Sequence, residues 1–261
     1  MTGAFTVVEP VMGTVASITV LGERTVAVEH AIAACVARLR DDERVFSTYR
    51  DDSDISRLRD DALELGDLDP RVTEVAELCR DLRERSGGRF DAHWRGWFDP
   101  TGIVKGWSTD AAARAFDDLL ARGGIEAVGV NVGGDMRLRT APTSDHVWRI
   151  GVAHPTHEGE LLATVRVVDG AVATSGTSER GAHLIDPRTG VHLSGPVSAT
   201  VIADDLTTAD AWATVAAIAG IDDLDWMPVA PVASGLVWEH GRTRRFAGRM
   251  EVSAFRDALL D

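Results

Sequence analysis

"AVGVNVGGDMRLR", residues 127–139, is where the chain changes character. Apolar residues flank a Gly-Gly-Asp turn, so the stretch reads as a strand, a tight turn and a second strand. From Glu126 to about Ala203 the same texture continues in "VWRIGVAHP", "LLATVRVVDG", "GAVATSG" and "SATVIAD". Upstream the apolar spacing is mostly helical. "GTVASITVLG" (13–22) alternates like a strand, but residues 23–46 place apolar side chains at helical spacing with charges opposite. Residues 47–61, rich in Asp and Ser, read as a loop with a capped turn. "DPRVTEVAELCRDLRERSGG" (69–88) reads as a second amphipathic helix, with Pro70 near its start and Gly87 and Gly88 past its end. "STDAAARAFDDLLARGG" (108–124) has the marks of a third, capped by Ser108 or Thr109 and stopped at Gly123 and Gly124. Residues 206–220 read as a helix, and 235–241 with 243–249 as a terminal hairpin. Helices and strands arrive in separate runs, which predicts an α+β fold over a doubly wound one.

Composition narrows the function. The 261 residues carry a net charge of -14. Such a surface repels phosphate backbones and anionic lipid, so no nucleic-acid partner and no membrane insertion are expected. An anionic ligand would need a local positive patch or a metal ion. Cys35 and Cys79 lie in helix-like apolar patterns, form no CxxC pair, and read as buried structural thiols of a reducing compartment. The first residues lack a basic signal-like region, and no stretch approaches the roughly 18 apolar residues of a membrane span. A cytoplasmic location is the expectation.

Four clusters carry chemistry. In "FDPTGIVKGW" (98–107), glycines flank Lys105, the chain's one lysine against a combined Lys and Arg count of 27. A glycine-flanked loop before a helix would admit an anion to backbone N–H groups, although the order is not that of a P-loop. An ordinary turn into a helix is the competing reading. In "GVNVGGDMRL", Asp135 sits at a tight turn where a ribose hydroxyl or ring donor could meet it; a plain hairpin is the alternative. "ATSGTSERGAHLIDPRTG" (173–190) crowds Ser175, Thr177, His183, Asp186 and Arg188 without any ordered Ser-His-Asp triad. His183, near Arg180 and Arg188, is a candidate for acid–base work, or a structural histidine. In "DDLTTADAWATV" (204–215), Asp210 and Thr214 stand at i and i+4 on one helix face. One carboxylate with one hydroxyl suits Mg²⁺, which takes further oxygens from phosphate and water. A solvated helix start is the plainer alternative.

Taken in order, "VMGTVASI", "FSTYRDDSDISRL", "FDPTGIVKGWSTD", "VNVGGD", "ATSGTSER", "HLIDPRTG" and "DLTTADAWAT" resemble the FAD:protein FMN transferase (ApbE) family, over nearly all of the chain to about Gly220. The resemblance implies one catalytic domain over residues 1–261, with mixed or antiparallel sheets packed on helices and a flavin cleft between two lobes. It implies Mg²⁺-dependent cleavage of FAD and attachment of FMN, through a phosphoester, to a Ser or Thr of an acceptor flavoprotein, with release of AMP. By the same resemblance, Asp210, Thr214 and the Gly102 carbonyl would hold the metal. Asp99 and Lys105 would contact the flavin nucleotide, Lys105 also with a catalytic role, and Met12, Tyr49 and Ile185 would line its pocket. Asp135 and Ser175 complete the expected FAD contacts, and His183 would deprotonate the acceptor hydroxyl. Lysine at 105 supplies a compact point charge where a forked guanidinium would not fit. Two departures stand out: Ser178 replaces a frequent Tyr, and Arg59 replaces a frequent Asn. The second leaves a Mg²⁺-dependent FAD pyrophosphatase as the alternative, with a non-catalytic FAD-binding protein as a third reading.

Overall fold

A computed structural model describes residues 3–63, 65–177 and 184–246. Strands β1 (Ala4–Val11) and β2 (Thr14–Leu21) form a hairpin across Met12 and Gly13. Both turn residues have positive φ, 55° and 65°, as a two-residue turn matched to the strand twist requires. Helices α1 (Val26–Phe46), α2 (Asp54–Arg59), α3 (Pro70–Arg85), α4 (Thr101–Ala113) and α5 (Asp117–Ala121) follow. Then come β3 (Ala127–Val132), β4 (Asp135–Thr140), β5 (Trp148–Ala153), β6 (Leu161–Val167) and β7 (Gly170–Gly176). The chain continues through β8 (Ile185–Asp186), β9 (Val191–His192) and β10 (Val197–Ala203). Helix α6 (Leu206–Ala219), β11 (Ser234–Glu239) and β12 (Arg242–Phe246) close the described chain.

Eight strands form one sheet in the order β1-β2-β3-β4-β7-β10-β11-β12, and every pairing is antiparallel. The β5–β6 hairpin leaves the sheet between β4 and β7. Side-chain alternation explains the layering. Ala171 and Ala173 of β7, with Val197, Ala199 and Val201 of β10, join the cluster that includes α4 and α6. Val172 and Ile202, one residue out of phase, pack instead with Val152, Leu162 and Val165 of the β5–β6 hairpin. Helices thus cover one face and a hairpin the other. A third cluster packs α1 against β2 and β3.

The predicted α+β class holds, as do the helices over 23–46, 69–88 and 206–220. Pro70 occupies the first turn of α3 behind the cap Asp69. Both cysteines are buried, and burial pushes each thiol up to about 12. The polar stretch 47–61 contains a six-residue helix capped by Ser53. Of the terminal hairpin, 247–249 lie outside the described residues.

The expectation around Lys105 needs correction. The glycine-flanked segment is no loop: α4 begins at Thr101 and carries Lys105 and Gly106 in its first turns. Ser108 and Thr109 are buried within the helix and cap nothing. Ser108 Oγ donates to Asp42 Oδ2 at 2.6 Å, and Thr109 Oγ1 to the Lys105 carbonyl at 2.7 Å. Gly106 serves helix packing, because a Cβ there would lie 2.4 Å from the Leu206 carbonyl oxygen of α6.

Candidate active site

Helix α6 is apolar around almost its whole circumference and is correspondingly buried. Its N-terminus is held from outside. Asp110 of α4 accepts from Leu206 N (3.0 Å), Thr207 N (2.7 Å) and Thr207 Oγ1 (2.6 Å), while Asp205 accepts from Thr208 N (2.7 Å). Burial pushes the Asp110 carboxyl above its ordinary value, and the Thr207 and Leu206 hydrogen bonds offset part of that rise. Two polar residues remain on the flank that meets β7 and α4: Asp210 and Thr214.

These two open into a cleft of about 310 Å³. Asp210, only 4% exposed, accepts the Gly106 N–H on Oδ2 at 2.9 Å. In a regular helix that N–H would bond the Gly102 carbonyl, so the contact couples the Gly102 turn of α4 to the α6 carboxylate. Thr214 Oγ1 shares a 3.1 Å hydrogen bond with Ser175 Oγ of β7 and donates to the Asp210 carbonyl at 3.4 Å. Gly102, Ser175, Asp210 and Thr214 all border the cleft. Asp210, Thr214 and Gly102 offer a carboxylate, a hydroxyl and a carbonyl, all hard oxygen donors. Among the described residues no group of three or more His, Cys, Asp or Glu side chains is arranged to hold a metal. A donor set with one carboxylate suits a hard cation that draws its remaining ligands from phosphate and water.

Four other residues singled out in the sequence border the same cleft: Tyr49, Asp99, Lys105 and Ile185. Tyr49, the chain's single tyrosine, is 93% exposed at the rim. Asp99 is buried and accepts from Thr101 Oγ1 at 2.7 Å and Thr101 N at 3.2 Å, with Arg95 3.5 Å from its other oxygen. Lys105 forms an ion pair with Asp135. Asp135 stands behind it at the start of β4, does not border the cleft, and accepts the Thr174 N–H at 2.9 Å. Met12 packs at the junction of two core clusters and is likewise not a cleft residue. His183, and the departure at Ser178, lie outside the described residues.

Sequence reading missed part of the wall. Phe90, Trp94 and Arg89 border the cleft. A Cβ on Gly102 would lie 2.8 Å from Phe90 Cε2, so the ring occupies the space an alanine methyl would need. Arg89 donates to both Asp223 oxygens at 2.6–2.9 Å, and Arg188, beside β8, reaches the same carboxylate at 3.5 Å. Burial pushes Asp223 up, but the Arg89 hydrogen bond and charge outweigh it and hold the carboxyl below its ordinary value. "SGGRFDAHW" carries no period or motif that would have exposed these roles.

The ApbE family model matches residues 12–97 and 95–230. A FAD:protein FMN transferase of Vibrio cholerae serotype O1 is 34% identical over 128 residues, 45% of this chain and 37% of that protein. Its counterpart in Escherichia coli K12 is 31% identical over 128 residues, 45% of this chain and 35% of that protein. The alignments thus span little more than a third of these curated relatives. The solved flavin transferase ApbE from Vibrio cholerae superposes with a TM-score of 0.74 at 21% identity, covering 95% of this chain and 98% of that one. The ApbE protein of Thermotoga maritima gives 0.76 at 21% identity, covering 93% and 97%. These structural likenesses carry the fold. With the family model matched along most of its length, the chain belongs to the ApbE family.

Proposed function

We propose that this chain transfers FMN from FAD to a Ser or Thr hydroxyl of an acceptor flavoprotein and releases AMP. The convergence of Asp210, Thr214, Gly102 and Lys105 on one cleft carries the reading. In the reaction the acceptor oxygen bonds the FMN phosphorus, the phosphoanhydride P–O bond breaks, and AMP leaves with the bridging oxygen. The hydroxyl proton passes to a base, for which His183 is the candidate.

Asp210, Thr214 and the Gly102 carbonyl would hold Mg²⁺, which when bound supplies charge neutralisation and Lewis-acid polarisation of the phosphates. The chain's own groups do the rest. Lys105 brings a positive charge to the cleft of a strongly acidic protein, where a diphosphate needs compensation. Tyr49 and Trp94 present aromatic surface at the rim for a flavin or adenine ring, and Ile185 adds an apolar wall. The named Vibrio and Escherichia relatives carry the same activity in their names.

The test is incubation with FAD and Mg²⁺, with and without an acceptor domain bearing a candidate Ser or Thr. Covalent flavin fluorescence on the acceptor supports transfer. FMN and AMP released at equal rates regardless of acceptor would replace this reading with hydrolysis, and unchanged bound FAD would replace it with a carrier.

A further inference from the structure

We infer that Asp135 is a positioning residue that acts on the ligand only through Lys105, and not an FAD contact. The inference rests on the proposed function, because it assigns Lys105 to the nucleotide. Three observations support it. Asp135 is 2% exposed at its side chain and does not border the cleft, whereas Lys105, 17% exposed, does. Both carboxylate oxygens are engaged, one by Lys105 and the other by the Thr174 N–H at 2.9 Å. Finally, strand alternation explains the placement: Met136 and Leu138 pack on the β5–β6 side, so Asp135 projects to the opposite, helix-covered face, where α4 delivers Lys105.

The arrangement makes one continuous chain of contacts, an ion pair followed by hydrogen bonds. Lys105 pairs with Asp135, Asp135 holds the β7 backbone at Thr174, the next residue Ser175 bonds Thr214, and Thr214 bonds the Asp210 carbonyl. The cation and the proposed metal-holding pair are therefore fixed against the same two residues of β7. A lysine has a flexible four-carbon stem and loses much rotamer freedom when ordered. Asp135 orders it before any ligand arrives, and its shape explains the use of lysine: a single ammonium can touch a buried carboxylate behind it and a phosphate in front.

A double-mutant cycle on equilibrium FAD binding, measured by flavin fluorescence without metal, tests the inference. Asp135→Asn keeps an acceptor for Thr174 but removes the charge that holds Lys105. It should weaken FAD binding on the order of tenfold, the scale of re-ordering one lysine. In a Lys105→Gln background the same substitution should change affinity by less than about twofold, because contacting residues are coupled and independent ones add. Asp135→Glu, which keeps the charge, should restore most of the affinity, and it serves if Asp135→Asn folds poorly. An equal loss in both backgrounds would mean a direct FAD contact and would overturn the inference. So would unchanged affinity of Asp135→Asn in the otherwise unmodified chain. Failure of the unmodified chain to bind FAD at all would remove the proposed function itself, a distinguishable result.

Discussion

The Gly106 amide donates to Asp210 Oδ2 at 2.9 Å, so helix α4 aims the carboxylate of helix α6. The two helices can approach this closely only because residue 106 has no side chain. A Cβ there would meet the Leu206 carbonyl oxygen at 2.4 Å and Asp210 Cβ at 2.9 Å, and backbone cannot yield as a side-chain tip can.

Gly106→Ala should therefore cost about 1–3 kcal/mol of stability through overpacking. It should also lower FAD turnover by displacing Asp210. Urea denaturation and turnover, measured side by side, check this. A variant with wild-type stability and rate would show that the helices part freely.

Gly102→Ala meets a different neighbour, the Phe90 ring at 2.8 Å. The substitution alone should destabilise by about 1–2 kcal/mol, and Phe90→Leu should recover most of that loss, since touching residues are energetically coupled. Thermal melts of the two single variants and the double variant read the coupling. Strict additivity would contradict it.

How much was legible before the structure depends on range. Period and punctuation are local, so α1, α3 and α6 were readable, α3 with its proline start and glycine stop. The Asp210/Thr214 pair was readable too, because four residues of helix fix one face. Glycines on both sides make Lys105 read as part of a loop. In fact Gly106 answers to Leu206, a hundred residues away, and Gly102 to Phe90. Strand β1 escaped because Glu9 and Pro10 break its apolar run, yet an edge strand tolerates both. Arg89 and Asp223 meet across 134 residues, and no window of sequence contains both.

Lys105→Arg should reduce flavin transfer by at least about tenfold while leaving the melt within a few degrees, because both side chains keep a charge for Asp135 but differ in shape. Steady-state rates and a thermal melt test it. Near-normal turnover would mean that any cation suffices.

Acid should expose the network around Arg71, which reaches Asp41, Asp42 and Asp69 at 2.7 Å each. The Arg71 hydrogen bond outweighs burial and holds the Asp69 carboxyl below 3.8. At Asp41, burial pushes upward but Arg71 and Arg44 prevail, again below 3.8. A carboxyl depressed by folding contributes stability that is full above its unfolded value and drains as pH falls through the folded one. The stability gap between the unmodified chain and Arg71→Met should hold steady from about pH 7 to 5 and narrow below about pH 4. A gap independent of pH would contradict the ion-pair origin.

AMP release from FAD across a Mg²⁺ titration, compared between the unmodified chain and Asp210→Asn, bears on the whole reading. The amide is isosteric and still offers an oxygen to the Gly106 N–H, so folding should survive and only the carboxylate charge is lost. The unmodified chain should release AMP with saturable Mg²⁺ dependence, and Asp210→Asn should lose that release by about a hundredfold or more, the scale of removing one electrostatic group from a catalytic site. Undiminished AMP release by folded Asp210→Asn would take the reaction away from this cleft.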